Sequence, residues 1–495
     1  MKRKILLSLS AVLLVAVCGA LFAACGGHPH ALTAVEARAA GCTEAGNPAY
    51  WSCEECGKYF SDAAGKQEIE EGSWVIPPAG HTYADTWSYS ETEHWRAATC
   101  GHTDEVADRA AHTFDGEMCT VCHYRLDNTE GLAYLLADDA KSYIVVGIGT
   151  AEEGDIVIPS GHLGLPGTGI ADSAFRGCPS IVSVYIPDSV TGLGWYAFAE
   201  CGSLESVTVG NGISLLGAGA FAECASLQEV ILGDSVTTLS ASCFYNCSSL
   251  ESIALPDSVT RIETYVFSDC TSLKSITLPD GVEEIMEGAF YGCGALESVT
   301  LGDGLQDIGD SAFYGCSALQ SVVLPDGLTS LGEYAFFGCS SLTDIALPEG
   351  LTSLGRYTFA DCHSLERAVL AEGLTSLGEG VFSGCGALES ISVPDSVTEI
   401  GMYAFEGCSS LADAVLSDGL TQIADGVFSD CGALQSVTVG NGVTEIGFGA
   451  FYGCTSLAEI RFEGTQAQWN GIEKATDWAL DAGTYTVVCT DGAIA

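Results

Sequence analysis

The sequence predicts a repeat solenoid with a parallel β-sheet along its concave face, preceded by two small Cys/His modules. Three observations predict it. Cysteines recur from Cys178 to Cys454 at an unbroken interval of 23 residues. Between them the same apolar columns return, represented by Leu273, Ile276, Leu278, Val282, Ile285 and Phe290. Each unit breaks at turn chemistry such as Pro279-Asp280-Gly281. A period of this length marks stacked supersecondary units, because one coil cannot bury its own apolar edge and needs neighbours.

In chain order, residues 1–24 read as a secretory signal. Lys2, Arg3 and Lys4 precede an apolar stretch from Ile5 to Val17, and small residues lead to Ala23, Ala24 and Cys25. Leu21-Phe22-Ala23-Ala24-Cys25 resembles a bacterial lipobox, which implies cleavage before Cys25 and lipidation of its thiol. The apolar stretch is short for a bilayer span. Residues 25–41 would be a tether.

Residues 42–83 and 84–125 form the two modules. Cys53-x-x-Cys56 and Cys119-x-x-Cys122 each give the tight two-ligand turn that tetrahedral zinc favours. The first set would be Cys42, Cys53, Cys56 and His81; the second Cys100, Cys119 and Cys122 with His112, or with His102 or His94. Structural zinc is the expectation, since segments with so little core need a staple. Disulfides are the alternative, given an exported chain and six cysteines, and a redox role is a third.

Residues 126–177 lead into the array as an N-terminal cap. From Ile158 to Ile170 there are 12 residues where the repeat has 7, from Leu278 to Ile285, so the first coil carries an insertion of five. Residues 178–462 are the repeats. Ile276 and Leu278 alternate with Ser275 and Thr277, the period of a half-buried strand. The return segment spaces Val282, Ile285 and Phe290 too irregularly for a long helix. Stacked about 4.8 Å apart, the coils would make a rod on the order of 60 Å long. Each ladder cysteine falls in an apolar column, where a thiol packs as a small hydrophobe. Residues 463–495, with Trp469, Trp478 and a last strand near Val487, would cap the far end.

The Leu-x-x-Ile-x-Leu strand, the Pro-Asp-Gly turn and the Ala-Phe-x-x-Cys close together resemble the BspA-like class of leucine-rich repeat found in bacterial surface proteins. The resemblance covers about residues 130 to 495. It implies adhesion at the cell surface, and the two modules look like the short Cys/His units that often precede such repeats.

Charge and motif bound the function further. With 65 acidic against 17 basic residues, net −48, the chain lacks the basic footprint of a nucleic-acid binder; a cationic partner or divalent ions suit it better. The column after each strand, from Asp188 to Asn441, is acidic in ten of twelve coils. It reads either as turn chemistry or as a carboxylate stripe for calcium or a basic partner. The outward strand columns are bland. No nucleophile, phosphate loop or zinc-protease motif is present, so an enzyme is not expected. The leading function is a surface lipoprotein that binds an extracellular protein or glycan and touches the membrane only through its lipid; the alternative is an envelope spacer with no dedicated ligand.

Overall fold

The computed structural model describes residues 129–494 except 139, 152, 153 and 164. Of the first 128 residues it describes 24–25, 28–29, 31–40, 45–55, 57–64, 66–73, 75–76, 82–83, 88–89, 93–97, 99, 106–111, 114–115 and 118–119. The chain divides into two compact units, 1–127 and 128–495.

The first unit is built of short antiparallel ribbons. Leu32–Val35, Tyr50–Cys53, Tyr59–Phe60 and Glu68–Ile69 make one sheet, with Cys53 and Phe60 buried in it. Ser88–Tyr89, Glu93–Ala97 and Val106–Ala111 make another. Strands this few bury little apolar surface.

The second unit is the solenoid, and most coils contribute two strands rather than one. In the coil that starts at Cys270, Ser275–Thr277 pairs in parallel register with Ser298–Thr300 of the next coil, burying Ile276 between exposed Ser275 and Thr277. After the Pro279 turn, Glu284–Ile285 pairs in parallel with Arg261–Ile262 on one side and Asp307–Ile308 on the other. The return segment expected to be irregular therefore forms a second parallel sheet. At two residues per strand it lies below the length at which alternation shows in sequence.

The chain then turns back through two left-handed positions, represented by Gly288 (φ 61°) and Gly292 (φ 71°). The same two columns hold Tyr265, Ser311, Asn246 and Asp269 elsewhere, all at φ between 54° and 59°. Phe290 between these turns and Cys293 just after them point inward, fully buried. Stacked coils bring the phenylalanines from Phe175 to Phe451 into one pile, with centroids 4.8–5.8 Å apart and planes within 20°. Apolar area plus offset stacking holds adjacent coils in register.

Both ends are covered, which a solenoid needs because its terminal sheet edges would otherwise template aggregation. At the N-terminal end Ala133–Leu136 runs antiparallel to Tyr143–Gly147, itself parallel to Leu165–Ile170. The five-residue insertion becomes a hairpin, Gly161–His162 against Leu165–Ile170. At the other end the repeat motif stops but the coil does not. Glu473–Lys474 extends the second sheet and Thr486–Cys489 the first. Ahead of both, the helix Gln466–Gly471, with a Thr465/Gln468 capping box at its start, seats buried Trp469 against Phe462.

Candidate functional site

The ligand sets read from the sequence fall mostly outside the described residues: Cys42, Cys56, His81, Cys100, His112 and Cys122 all do, with His102. Cys25 and Cys119 lie in the strands Ala24–Cys25 and Met118–Cys119, and His94 in Glu93–Ala97, with their side chains outside the description. Cys53 is buried at the end of its strand.

The ladder cysteines are described in full from Cys201 to Cys454, and all twelve are buried free thiols. Each sulfur lies 3.0–3.3 Å from the carbonyl oxygen of the phenylalanine 26 residues earlier, as Cys316 does from Phe290. Their role is thus more than apolar filling: the S–H donates across the coil boundary to a carbonyl that also accepts the Cys293 N–H. Burial pushes these thiols up, to about 12 at Cys201 and Cys270 and well above the usual range at Cys247 and Cys339. A thiol so protonated is no nucleophile.

Part of the acidic turn column is used structurally, though not locally. Asp188 accepts the Asn211 backbone N–H at 2.7 Å, and Asn211 accepts that of Asp234 at 2.8 Å. Asp280 and Asp395 do the same for Asp303 and Asp418 at 3.3 and 3.4 Å. Asp and Asn serve this ladder equally, which explains why both occur in it. Among the described residues no three His, Cys, Asp or Glu side chains gather as a metal site.

Two faces present side chains beyond these ladders. On the first sheet the mid-strand column leaves Ile231, Val323, Val369 and Val415 exposed, Val323 by 83%. Its bases are satisfied in place: Lys274 pairs with Glu251 and Arg367 with Asp344.

The second sheet carries what the sequence reading missed. Its outward residues and the glycines following them outline an open groove of about 710 Å³, bordered by Arg356, Glu379, Glu399, Met402 and Gln422 and floored by Gly378, Gly401 and Ala424. Arg356 is held by Glu379 at 2.9 Å, and Glu379 also accepts the Tyr357 hydroxyl at 2.9 Å. These bonds hold the Glu379 carboxyl below its usual range. The available signal was the glycine that recurs every 23 residues from Gly309 to Gly447, broken only by Ala424.

A family model described as the BspA type leucine rich repeat region (6 copies) matches residues 168–296, 283–412 and 375–472, together more than half of the chain. No curated protein matches significantly. Among solved structures, a leucine-rich repeat protein from Bacteroides ovatus is similar at 25% identity over 72% of this chain and 98% of its own, with a TM-score of 0.60. A leucine rich cell surface protein from Faecalibacterium prausnitzii is 26% identical over 74% of this chain and 98% of its own, with a TM-score of 0.44.

Proposed function

This chain belongs to the BspA-type leucine-rich repeat family, and from that premise we propose that it is an exported, lipid-anchored surface protein whose array holds an extracellular protein or glycan. The observation that carries the reading is the second-sheet groove, an open surface that the repeat builds by setting small residues in one column of successive coils. Export and anchoring are supported by the basic, apolar and small-residue succession that ends at Cys25. Binding rather than catalysis is supported by how the reactive side chains of the array are engaged. His162 stacks on Tyr134 at 3.9 Å, the His363 Nδ1 lies 2.9 Å from the Gly384 carbonyl, and the ladder thiols are neutral. The N-terminal unit adds structural zinc to the proposal, on the two Cys/His sets named above.

Two measurements test it. Radiolabelled palmitate should enter the wild-type chain and not Cys25→Ser, and protease added to intact cells should remove the array. Labelled mature chain should then bind extracellular-matrix or bacterial-surface preparations saturably, competed by unlabelled chain. A chain that reaches the surface and shows no saturable partner across both preparations would leave only the spacer reading.

A further inference from the structure

The second sheet is interrupted inside the groove. Ser376–Leu377 pairs in parallel with Glu399–Ile400, and Gln422–Ile423 with Glu445–Ile446, but Glu399–Ile400 and Gln422–Ile423 stand in separate sheets. On either side of the interruption the ladder is closed. The Thr398 N–H donates to the Thr375 carbonyl at 2.9 Å and the Gly401 N–H to the Leu377 carbonyl at 2.8 Å, and the Thr444 and Gly447 N–H groups donate in the same way to Thr421 and Ile423. The two corresponding bonds across the gap, Thr421 N–H to the Thr398 carbonyl and Ala424 N–H to the Ile400 carbonyl, are not formed, and none of these four groups has another partner among the described residues. All four residues border the groove. Backbone polar groups away from water are almost always paired, so the gap offers two donors and two acceptors, in fixed places, to whatever fills it.

The side chains beside the gap narrow what that is. Arg356 and Glu379 hold each other at 2.9 Å and the Tyr357 hydroxyl fixes Glu379 at 2.9 Å, so a donor and an acceptor stand side by side before any ligand arrives. Met402, 44% exposed, is the one large apolar side chain that the lining leaves open, too little for an apolar segment. Glu379 and Glu399, in a chain of net −48, repel a polyanion, while Arg356 stands where a basic segment would lie. The freed strand edges are two residues long, too short for a peptide to join as a further strand.

We propose that the gap binds a neutral oligosaccharide, whose hydroxyls take the place of the missing ladder partners and bridge Arg356 and Glu379 while the C–H face of one ring lies on Met402. A hydroxyl both donates and accepts, which is what N–H and C=O groups facing each other across an open ladder require. At about 710 Å³ the groove has the size of a small-ligand site. The inference rests on reading the array as a binding surface and names what that surface takes.

The test uses the mature full-length chain, titrated calorimetrically with maltotetraose, cellotetraose, mannotetraose and laminaritetraose, and with tetragalacturonate as the anionic counterpart. Saturable binding of at least one neutral sugar and none of the anionic one is expected. Arg356→Ala and Gln422→Ala, both at exposed side chains, should each weaken it about tenfold, the worth of one or two hydrogen bonds, and the first-sheet control Glu229→Ala/Ser275→Ala should leave it unchanged. Hydrogen exchange resolved to single amides reads the backbone directly. In the free chain Thr421 and Ala424 should exchange about tenfold or more faster than Thr398 and Gly401, and the bound sugar should slow them. No saturable neutral sugar, binding that neither variant weakens, or Thr421 and Ala424 amides already as protected as Thr398 and Gly401 would each overturn the proposal. If the sugars fail while extracellular preparations still bind the chain saturably, this inference falls and the wider surface-binding reading stands.

Discussion

Alkaline pH should unfold the array through its cysteines. In an unfolded chain a thiol ionises near pH 8.5, whereas burial raises all twelve ladder thiols, most of them far above that. Above pH 8.5 the folded state therefore binds more protons than the unfolded state, and stability falls as pH rises. The contribution is fully present below about pH 8 and is lost on the way to the folded values, about 12 at Cys201 and Cys270. One unit above the unfolded value, at pH 9.5, each thiol released on unfolding subtracts about 1.4 kcal/mol. A block of four coils unfolding together then loses about 6 kcal/mol, comparable with the whole stability of an ordinary domain. Urea unfolding followed by circular dichroism under reducing conditions should show midpoints level from pH 7 to 8 and falling steeply by pH 9.5, a window in which most tyrosines stay neutral. Replacing Cys293, Cys316, Cys339 and Cys362 by alanine should lower stability at pH 7 and flatten the pH dependence. Midpoints unchanged through pH 9.5, or iodoacetamide labelling of ladder thiols in the folded chain at pH 8.5, would refute the reasoning.

Other consequences are more local. Phe290 is fully buried between Phe267 and Phe313 at 5.4 and 5.1 Å, so Phe290→Ala should cost about 3–5 kcal/mol. Hydrogen exchange should place the lost protection in the adjoining coils, and a loss spread evenly over the array would contradict nearest-neighbour stacking. Gly288 stands at φ 61° with the Tyr265 ring over it, where a Cβ would lie 2.2 Å from the ring. Gly288→Ala should lose about 2–3 kcal/mol, falling to about 1 kcal/mol when introduced into Tyr265→Ser, the residue left for the left-handed backbone alone; equal losses in the two backgrounds would remove the ring from the account. The Arg367–Asp344 pair is largely exposed, so a double-mutant cycle should return under about 1 kcal/mol. In the N-terminal unit, metal analysis of residues 26–125 should find about one zinc per Cys/His module, released on chelation; metal-free protein with intact disulfides would reject that assignment.

What could be read in the sequence follows from what a 23-residue period encodes. Leu273, Ile276 and Phe290 recur because each meets its own counterpart in the next coil, so the stacking, the first sheet and the buried cysteine column all show as columns. The second sheet did not, since Glu284–Ile285 is two residues long and its partners lie 23 residues away on either side. For the same reason the thiol donors read only as packing: the Phe290 carbonyl that receives Cys316 belongs to another coil, and a backbone acceptor leaves no mark in a column of side chains. The C-terminal coil was hidden the opposite way. There Trp478 meets Phe451 edge-on at 5.8 Å in place of another phenylalanine, so the fold continues after the motif has ended. The groove had a visible trace in its glycines, but glycine in a repeat reads first as a turn.

The acid of the array lies in columns that the stacking engages to different extents. Stacking identical coils places equivalent carboxylates only about 4.8 Å apart, so an acidic column persists without penalty where each member is engaged by the next coil. In the turn column Asp188, Asn211, Asp280 and Asp395 each hold a backbone N–H one coil onward. Asp172, Asp310 and Asp425 do the same on the far side of the coil, for Trp195, Glu333 and Phe448. In the strand row Glu284 lies across from Asp307 and Glu445 across from Glu473, while Arg261 stands in register on the other side of Glu284. Thr238, Ser330 and Ser353 in the strand column and Asn211 in the turn column fill the same structural places without charge, so stacking tolerates the acid of both columns and requires it in neither.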